Sequence, residues 1–309
     1  MKHDRATALD MSYWRSLGTG LSLVVIDEDE DDEPEPPAPI AIDAEEVNQL
    51  VESIRYDGYC DRPSLLSVEE VDPIAAGAQA LVDAGWPAAF VFVFDEPWRL
   101  FQRIAPVFEA LLGRSYRILP TPWARVVSLT DGTLGTQPRR DDPRASAIND
   151  DYYPTSITVS VCLTESSPSN GCTYVVPAPL QEDYRAPRPG DPVITPPSIR
   201  ALPAPIGSVQ VWTPNLVHWE GAPSARATIP RVSISLEAQA RSYLPLHVPR
   251  LDPTSPPSFS QRLRVIALSL QHHRAIAELD DDQDRLANEL AALPAELPEL
   301  AKQLLDSAR

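Results

Sequence analysis

Residues 207–237 read GSVQVWTPNLVHWEGAPSARATIPRVSISLE. Apolar and polar residues alternate over 208–212 and again over 231–237, the period-two pattern of a half-buried β-strand. Between the two runs lie a tight connection, a histidine opening a further strand, and a loop. His218 is one of five histidines in the chain and falls inside the strand-rich region, while Arg231 opens the last strand. A neutral imidazole is a transition-metal ligand. A guanidinium one strand away grips a carboxylate through two parallel hydrogen bonds. The pair suits a metal-bound keto acid.

The bulk properties narrow the field. The chain has 309 residues, 43% of them hydrophobic, enough for one large core with appendages. Its net charge is −18, and the run DEDEDDEPE at 27–35 carries much of it. An acidic chain argues against nucleic acid and against anionic membrane surfaces as partners. The three cysteines, Cys60, Cys162 and Cys172, form no CxxC pair, so neither a zinc framework nor a disulfide scaffold is expected, and they read as small buried hydrophobes. No apolar run reaches membrane-spanning length and the N-terminus lacks a signal-peptide core. A cytoplasmic protein is therefore expected. The 34 prolines suit a loop-rich β protein.

Along the chain, residues 14–26 form an apolar piece that is either an added strand or a docked helix. Residues 27–39 are charged and proline-rich and read as a linker. A helical stripe at Val47, Leu50, Val51 and Ile54 follows, with Asp43 and Glu46 spaced as a capping box. Residues 58–63 read as a strand, and Ser67 with Glu70 caps a second helix to about Ala84. The run FVFVF at 90–94 reads as buried core, in strand form, and residues 97–112 as an amphipathic helix. Strands are expected over 116–127, broken by Pro120 and Pro122, with Trp123 facing a cavity. Strands 156–164 and 172–176 follow, then a proline-rich excursion at 178–205. The chain ends in helices from Ser260 onward, suited to packing on the sheet or to dimerisation. Three parts are expected: an N-terminal extension (1–40), a central β domain (41–245) and a C-terminal helical extension (246–309).

The histidine after a Gly-x-Val-x-Trp strand, followed by Arg-x-Ser-x-Ser-Leu, resembles the C-terminal half of the phytanoyl-CoA dioxygenase family. TSITVSVCLTESSPSNGCTYVVP at 155–177 and, more weakly, DGYCDRPSLLSVEEV at 57–71 resemble the same family. The resemblance covers roughly residues 45–240. It implies a mainly β fold with flanking helices, built on a double-stranded β-helix, or jelly-roll, core. It also implies iron(II) and 2-oxoglutarate as cofactors and hydroxylation of a small organic substrate. By the same resemblance His218 is the second iron histidine and Arg231 holds the keto acid's distal carboxylate, with Arg226 as a less well placed alternative.

The first ligand motif of that family is His-x-Asp. Here the corresponding stretch is GTQPRRDDP at 135–143, which puts Asp141 in the aspartate slot and Arg139 in the histidine slot. Arginine stays protonated and has no lone pair to give a metal. Two metal ligands remain, Asp141 and His218. His3, His247, His272 and His273 fall outside the expected core; His247 is the nearest replacement, with Asp142 or Cys162 as further candidates. Arg139 could instead pair with Asp141 and take the metal's place. Three readings follow: an iron(II)/2-oxoglutarate dioxygenase; a catalytically dead small-molecule-binding protein or partner subunit, as a homodimer or a heterodimer with a paralogue; and an unrelated jelly roll. Trp123, Tyr153, Tyr174 and Trp219 are aromatic candidates for a pocket wall. No basic cluster is placed to take the phosphates of coenzyme A.

Overall fold

Two antiparallel sheets face each other across the site. The strands are β1 (Tyr59–Arg62), β2 (Tyr116–Ile118), β3 (Trp123–Val127), β4 (Ser156–Cys162), β5 (Thr173–Val175), β6 (Arg200–Leu202), β7 (Val209–Trp212), β8 (His218–Glu220) and β9 (Arg231–Ala240). The larger sheet runs β1-β7-β4-β9-β2, with β3 also paired to β9; the smaller runs β6-β5-β8. The protein is seen as a computed structural model, which describes residues 4–24, 35–129, 135–142, 148–187 and 192–294. The architecture is the mainly β jelly roll with flanking helices that the sequence leads one to expect.

The alternation in the strands has a different cause from the one read in the sequence. All seven residues of β4 are buried. Register explains why: Ile157, Val159 and Val161 lie beside Ala238, Leu236 and Ile234 of β9, while Thr158 and Ser160 lie beside Glu237 and Ser235. The apolar face is covered by helices and the polar face by the second sheet. The polar residues therefore look into an interior cavity rather than into solvent, so the sheet is buried on both faces.

The helices are α1 (Arg5–Ala8), α2 (Met11–Ser16), α3 (Ala44–Asp57), α4 (Val68–Asp83), α5 (Asp95–Arg103), α6 (Ala105–Leu112), α7 (Phe259–His272), α8 (Arg274–Ala277) and α9 (Asp281–Ala291). Both expected capping pairs form. Asp43 accepts from the Glu46 amide and donates its own amide to the Glu46 carboxylate, both at 2.9 Å; the Ser67 amide donates to Glu70 at 2.8 Å. The expected helix over 97–112 is two helices, because Pro106 at the start of α6 has no N–H to continue the ladder.

The segment FVFVF is buried but not a strand. It lies in a 3-10 helix, Ala88–Val93, since a short continuous apolar run carries no period by which to tell the two apart. Trp14 of α2 stacks on Phe90, centroids 5.4 Å apart, and donates Nε1–H to the Ala8 carbonyl at 2.8 Å. The apolar piece at 14–26 thus begins as a docked helix; its last two residues and residues 27–34 of the acidic segment lie outside the described residues. Among its described residues the proline-rich excursion contains one short strand, β6, which forms the edge of the smaller sheet. Cys60, Cys162 and Cys172 are buried thiols, as expected. Among the described residues, no helix is long and apolar enough to cross a membrane.

Candidate functional site

The segment 135–142 enters alongside β8 and extends the smaller sheet by one rung. Arg139 and His218 exchange backbone hydrogen bonds of 3.0 and 2.9 Å, and the Thr136 amide donates to the Glu220 backbone carbonyl at 2.9 Å. This pairing sets Asp141 against the His218 ring, with Oδ1 3.2 Å from Nε2. The other carboxylate oxygen accepts from Thr158 Oγ1 and from Trp212 Nε1, both at 2.8 Å. His218 Nδ1 lies 3.0 Å from the Leu216 carbonyl. A carbonyl oxygen only accepts, so Nδ1 carries a proton, and Nε2 is the atom turned to Asp141. Burial alone would raise the Asp141 pKa, but the His218 ring, the Arg139 charge and the Thr158 hydroxyl outweigh it and hold the carboxyl well below its usual range. Asp141 is therefore an anion.

Arg139 does not form the ion pair with Asp141 that its position in the sequence suggests. Its guanidinium donates to Thr136 Oγ1 at 2.8 Å and acts on Asp141 and Glu220 through its charge. Arg231 is buried and already engaged. Its Nη2 lies 3.0 Å from Glu220 Oε2, and the same oxygen lies 2.6 Å from Arg125 Nε. Arg231 Nη1 also donates to Ser233 at 3.3 Å. Burial pushes the Glu220 pKa up, but Arg231, Arg125 and Arg139 together bring it below the ordinary value. A carboxylate of the chain itself sits where the resemblance implies a ligand carboxylate would sit.

Sequence reasoning missed Glu220, although a signal was there. Glu220 is two residues after His218, and alternate residues of a strand share a face. If His218 points inward, so does Glu220.

A second group lies in the same cavity. Glu237 of β9 and His273, just past the end of α7, line it together with Asp141 and His218. The His273 ring rests against Trp123, centroids 4.6 Å apart, which confirms that Trp123 faces the cavity. Burial, with the Asp141 charge beside it, pushes the Glu237 carboxyl well above its ordinary range. Burial, then the neighbouring His272, lowers His273 to about 3, so its ring is neutral. The expectation that His272 and His273 stand apart from the core does not hold for His273, because α7 runs back across the mouth of the roll. His247, the replacement favoured on sequence, has its ring 4.7 Å from that of His272 and its Nε2 3.8 Å from Asp142. Arg226 is exposed in its loop. Tyr174 and Trp219 stack on each other at 5.6 Å, and Tyr153 stacks under Arg55.

The cavity between Asp141, His218 and Glu220 holds about 30 Å³, room for a water molecule or two. An iron–2-oxoglutarate centre would draw on Asp141, His218 and Arg231. In the ligand set that the resemblance implies, one of three positions carries the Arg139 guanidinium and the Arg231 clamp is filled by Glu220, and the space is too small for a five-carbon dicarboxylate. The residue set does not fit that group.

An antiparallel double roll with an aspartate and a histidine facing each other inside it is the frame of the iron- and 2-oxoglutarate-dependent oxygenases. Residues 88–224 match the family model described as phytanoyl-CoA dioxygenase. That stretch, which holds Arg139, Asp141, His218 and Glu220, is therefore phytanoyl-CoA dioxygenase-like. No curated protein matches the chain. Solved structures of similar fold include the epimerase SnoN, in complex with Fe3+, α-ketoglutarate and nogalamycin RO. It is 23% identical, with a TM-score of 0.52, over 70% of this chain and 96% of that one. The non-heme monooxygenase ThoJ, as a nickel complex, is 15% identical, with a TM-score of 0.55, over 78% and 99%. EctD from S. alaskensis, with 2-oxoglutarate and 5-hydroxyectoine, is 20% identical, with a TM-score of 0.50, over 71% and 82%. Likeness at these identities concerns the fold.

Proposed function

We propose that this chain is a non-oxygenase member of the oxygenase fold, in which the buried pairing of Glu220 with Arg231 and Arg125 stands where the keto acid's carboxylate stands in active enzymes. Its role is then that of a small-molecule-binding protein or of a partner subunit to an active paralogue. The observation that carries the proposal is the Glu220 carboxylate held between Arg231 and Arg125 at 3.0 and 2.6 Å. A tethered carboxylate competes with any free one at a very high effective concentration. To bind, 2-oxoglutarate would have to expel a buried, doubly paired anion and leave it unpaired, a cost of several kcal/mol. Arg139 adds to this: its fixed positive charge on the strand edge beside His218 repels a divalent cation.

The test is anaerobic titration of iron(II) with 2-oxoglutarate, followed by the charge-transfer absorption of the chelate. The native chain gives no such band, and a double variant, Arg139→His with Glu220→Ser, gains it. A band from the native chain would overturn the proposal.

One observation favours a second reading, the iron(II)/2-oxoglutarate hydroxylase. His218 Nε2 turns toward the anionic Asp141 at 3.2 Å, an arrangement that calls for a proton or a metal ion between the two. SnoN and EctD, solved with α-ketoglutarate or 2-oxoglutarate, share the fold in which such a pair holds iron. In that reading Glu220 swings aside when the keto acid enters, and the native chain produces the band.

A further inference from the structure

We propose that Glu237, His272 and His273 form a separate binding site for a divalent transition-metal ion, at the mouth of the roll and distinct from the Asp141–His218 pair. One carboxylate oxygen and one nitrogen of each ring lie within 4.8 Å of one another. Two imidazoles and a carboxylate are a donor set for zinc, cobalt, nickel or iron, and not for magnesium or calcium, which prefer all-oxygen shells. Ligand bonds of about 2.0–2.2 Å ask the donors to close to roughly 3.3–3.5 Å apart. Small side-chain rotations supply that movement.

The ligands sit on elements that are themselves fixed. Glu237 lies in β9, in register with Thr158 of β4. His272 is the last residue of α7 and His273 its cap. That helix is tied down at three points. Arg262 pairs with Asp95 at 2.7 Å and donates to the Val93 carbonyl at 2.9 Å. Ser269 donates to the Pro122 carbonyl at 2.6 Å, next to β3. The end of the helix is thereby held over Trp123 and against β9. Metal sites need this kind of support to hold their geometry.

The surroundings leave the site short of a cation. His273 Nε2 is buried without a hydrogen-bond partner, and the ring is kept neutral by burial, which is the state that ligates. Glu237 is buried near two further carboxylates, Asp141 and Asp142. Arg139 is the counter-charge facing this group across the cavity, and its guanidinium is directed to Thr136. A divalent ion would let Glu237 ionise and would give His273 a partner. Three protein ligands also leave a position open toward the cavity, as in metal sites that bind a further small ligand.

The test uses cobalt(II) alone, without keto acid, on the full chain after treatment with a chelator. Bound cobalt is read from its visible d–d spectrum and by calorimetry. The native chain is expected to bind stoichiometrically. His272→Ala, at a half-buried position, should weaken binding roughly tenfold or more, since loss of even a supporting partner costs that much. Glu237→Gln should do the same. His218→Ala should leave binding within about twofold, well inside the 1.4 kcal/mol that marks a factor of ten. The proposal is overturned if the native chain takes up no cobalt. It is equally overturned if His218→Ala abolishes binding while His272→Ala does not. Because keto acid is absent, the outcome is independent of whether the iron–2-oxoglutarate band forms.

Discussion

Glu220 and Arg231 form a buried ion pair of 3.0 Å between adjacent elements of the smaller and larger sheets, closed on its other side by Arg125 at 2.6 Å. Removing the anion leaves two guanidinium groups facing each other in the interior. Glu220→Gln is therefore expected to destabilise the fold by about 3–5 kcal/mol, the usual cost of breaking a buried pair. It should also create a binding site for free carboxylates. Thermal unfolding with added formate, a carboxylate small enough for the cavity, checks this: the variant gains stability with ligand and the native chain does not.

The same pair sets a pH dependence. The Glu220 pKa is below its ordinary value of 4.5, so its contribution is fully present above about pH 4.5. It is lost as pH falls toward the native-state value, because the unfolded chain takes up the proton first. The stability gap between the native chain and Glu220→Gln should be largest near neutral pH and should narrow below about pH 4.5. Urea unfolding of both at pH 7 and pH 4 measures it, and an unchanged gap would show that the pair contributes nothing through charge.

Trp14 anchors the N-terminal helices on the core behind the larger sheet. It is fully buried, stacks on Phe90 and lies 4.6 Å from the Trp86 ring. Trp14→Ala should cost about 3–5 kcal/mol. Equilibrium denaturation gives the value, and a loss under 1 kcal/mol would mean that residues 4–24 are not part of the cooperative core.

Gly171 governs how β5 meets β8. Its φ is +84°, and a Cβ there would come within 2.3 Å of the Gly221 carbonyl oxygen. Gly113 has a similar φ of +77° with open space around it. Gly113 has a ψ of 166°, in a region open essentially to glycine alone, so Gly113→Ala should cost roughly 1–3 kcal/mol from backbone strain and Gly171→Ala should add a steric cost to its own strain. The two variants compared by thermal unfolding separate the steric cost from the strain.

Much of the frame was legible in the residues. Period-two runs placed β4, β7 and β9, and paired Asp43–Glu46 and Ser67–Glu70 marked the helix starts, because both signals are local. Arg139 could be recognised as unable to ligate a metal from its chemistry alone, and Asp141 and His218, which only the family resemblance had paired, lie 3.2 Å apart. Burial on both faces of the larger sheet could not be read, since alternation looks the same whether the polar side meets water or a cavity. The 3-10 form of the FVFVF segment was equally hidden, a short apolar run being compatible with any buried backbone. What only the tertiary structure decided is the content of the cavity. Glu220 closes on Arg231 through the facing of two sheets, and α7 carries His273 back over Trp123 and beside Glu237. Those partners are set by long-range packing, and no periodicity in a chain records which distant residues will share one interior space.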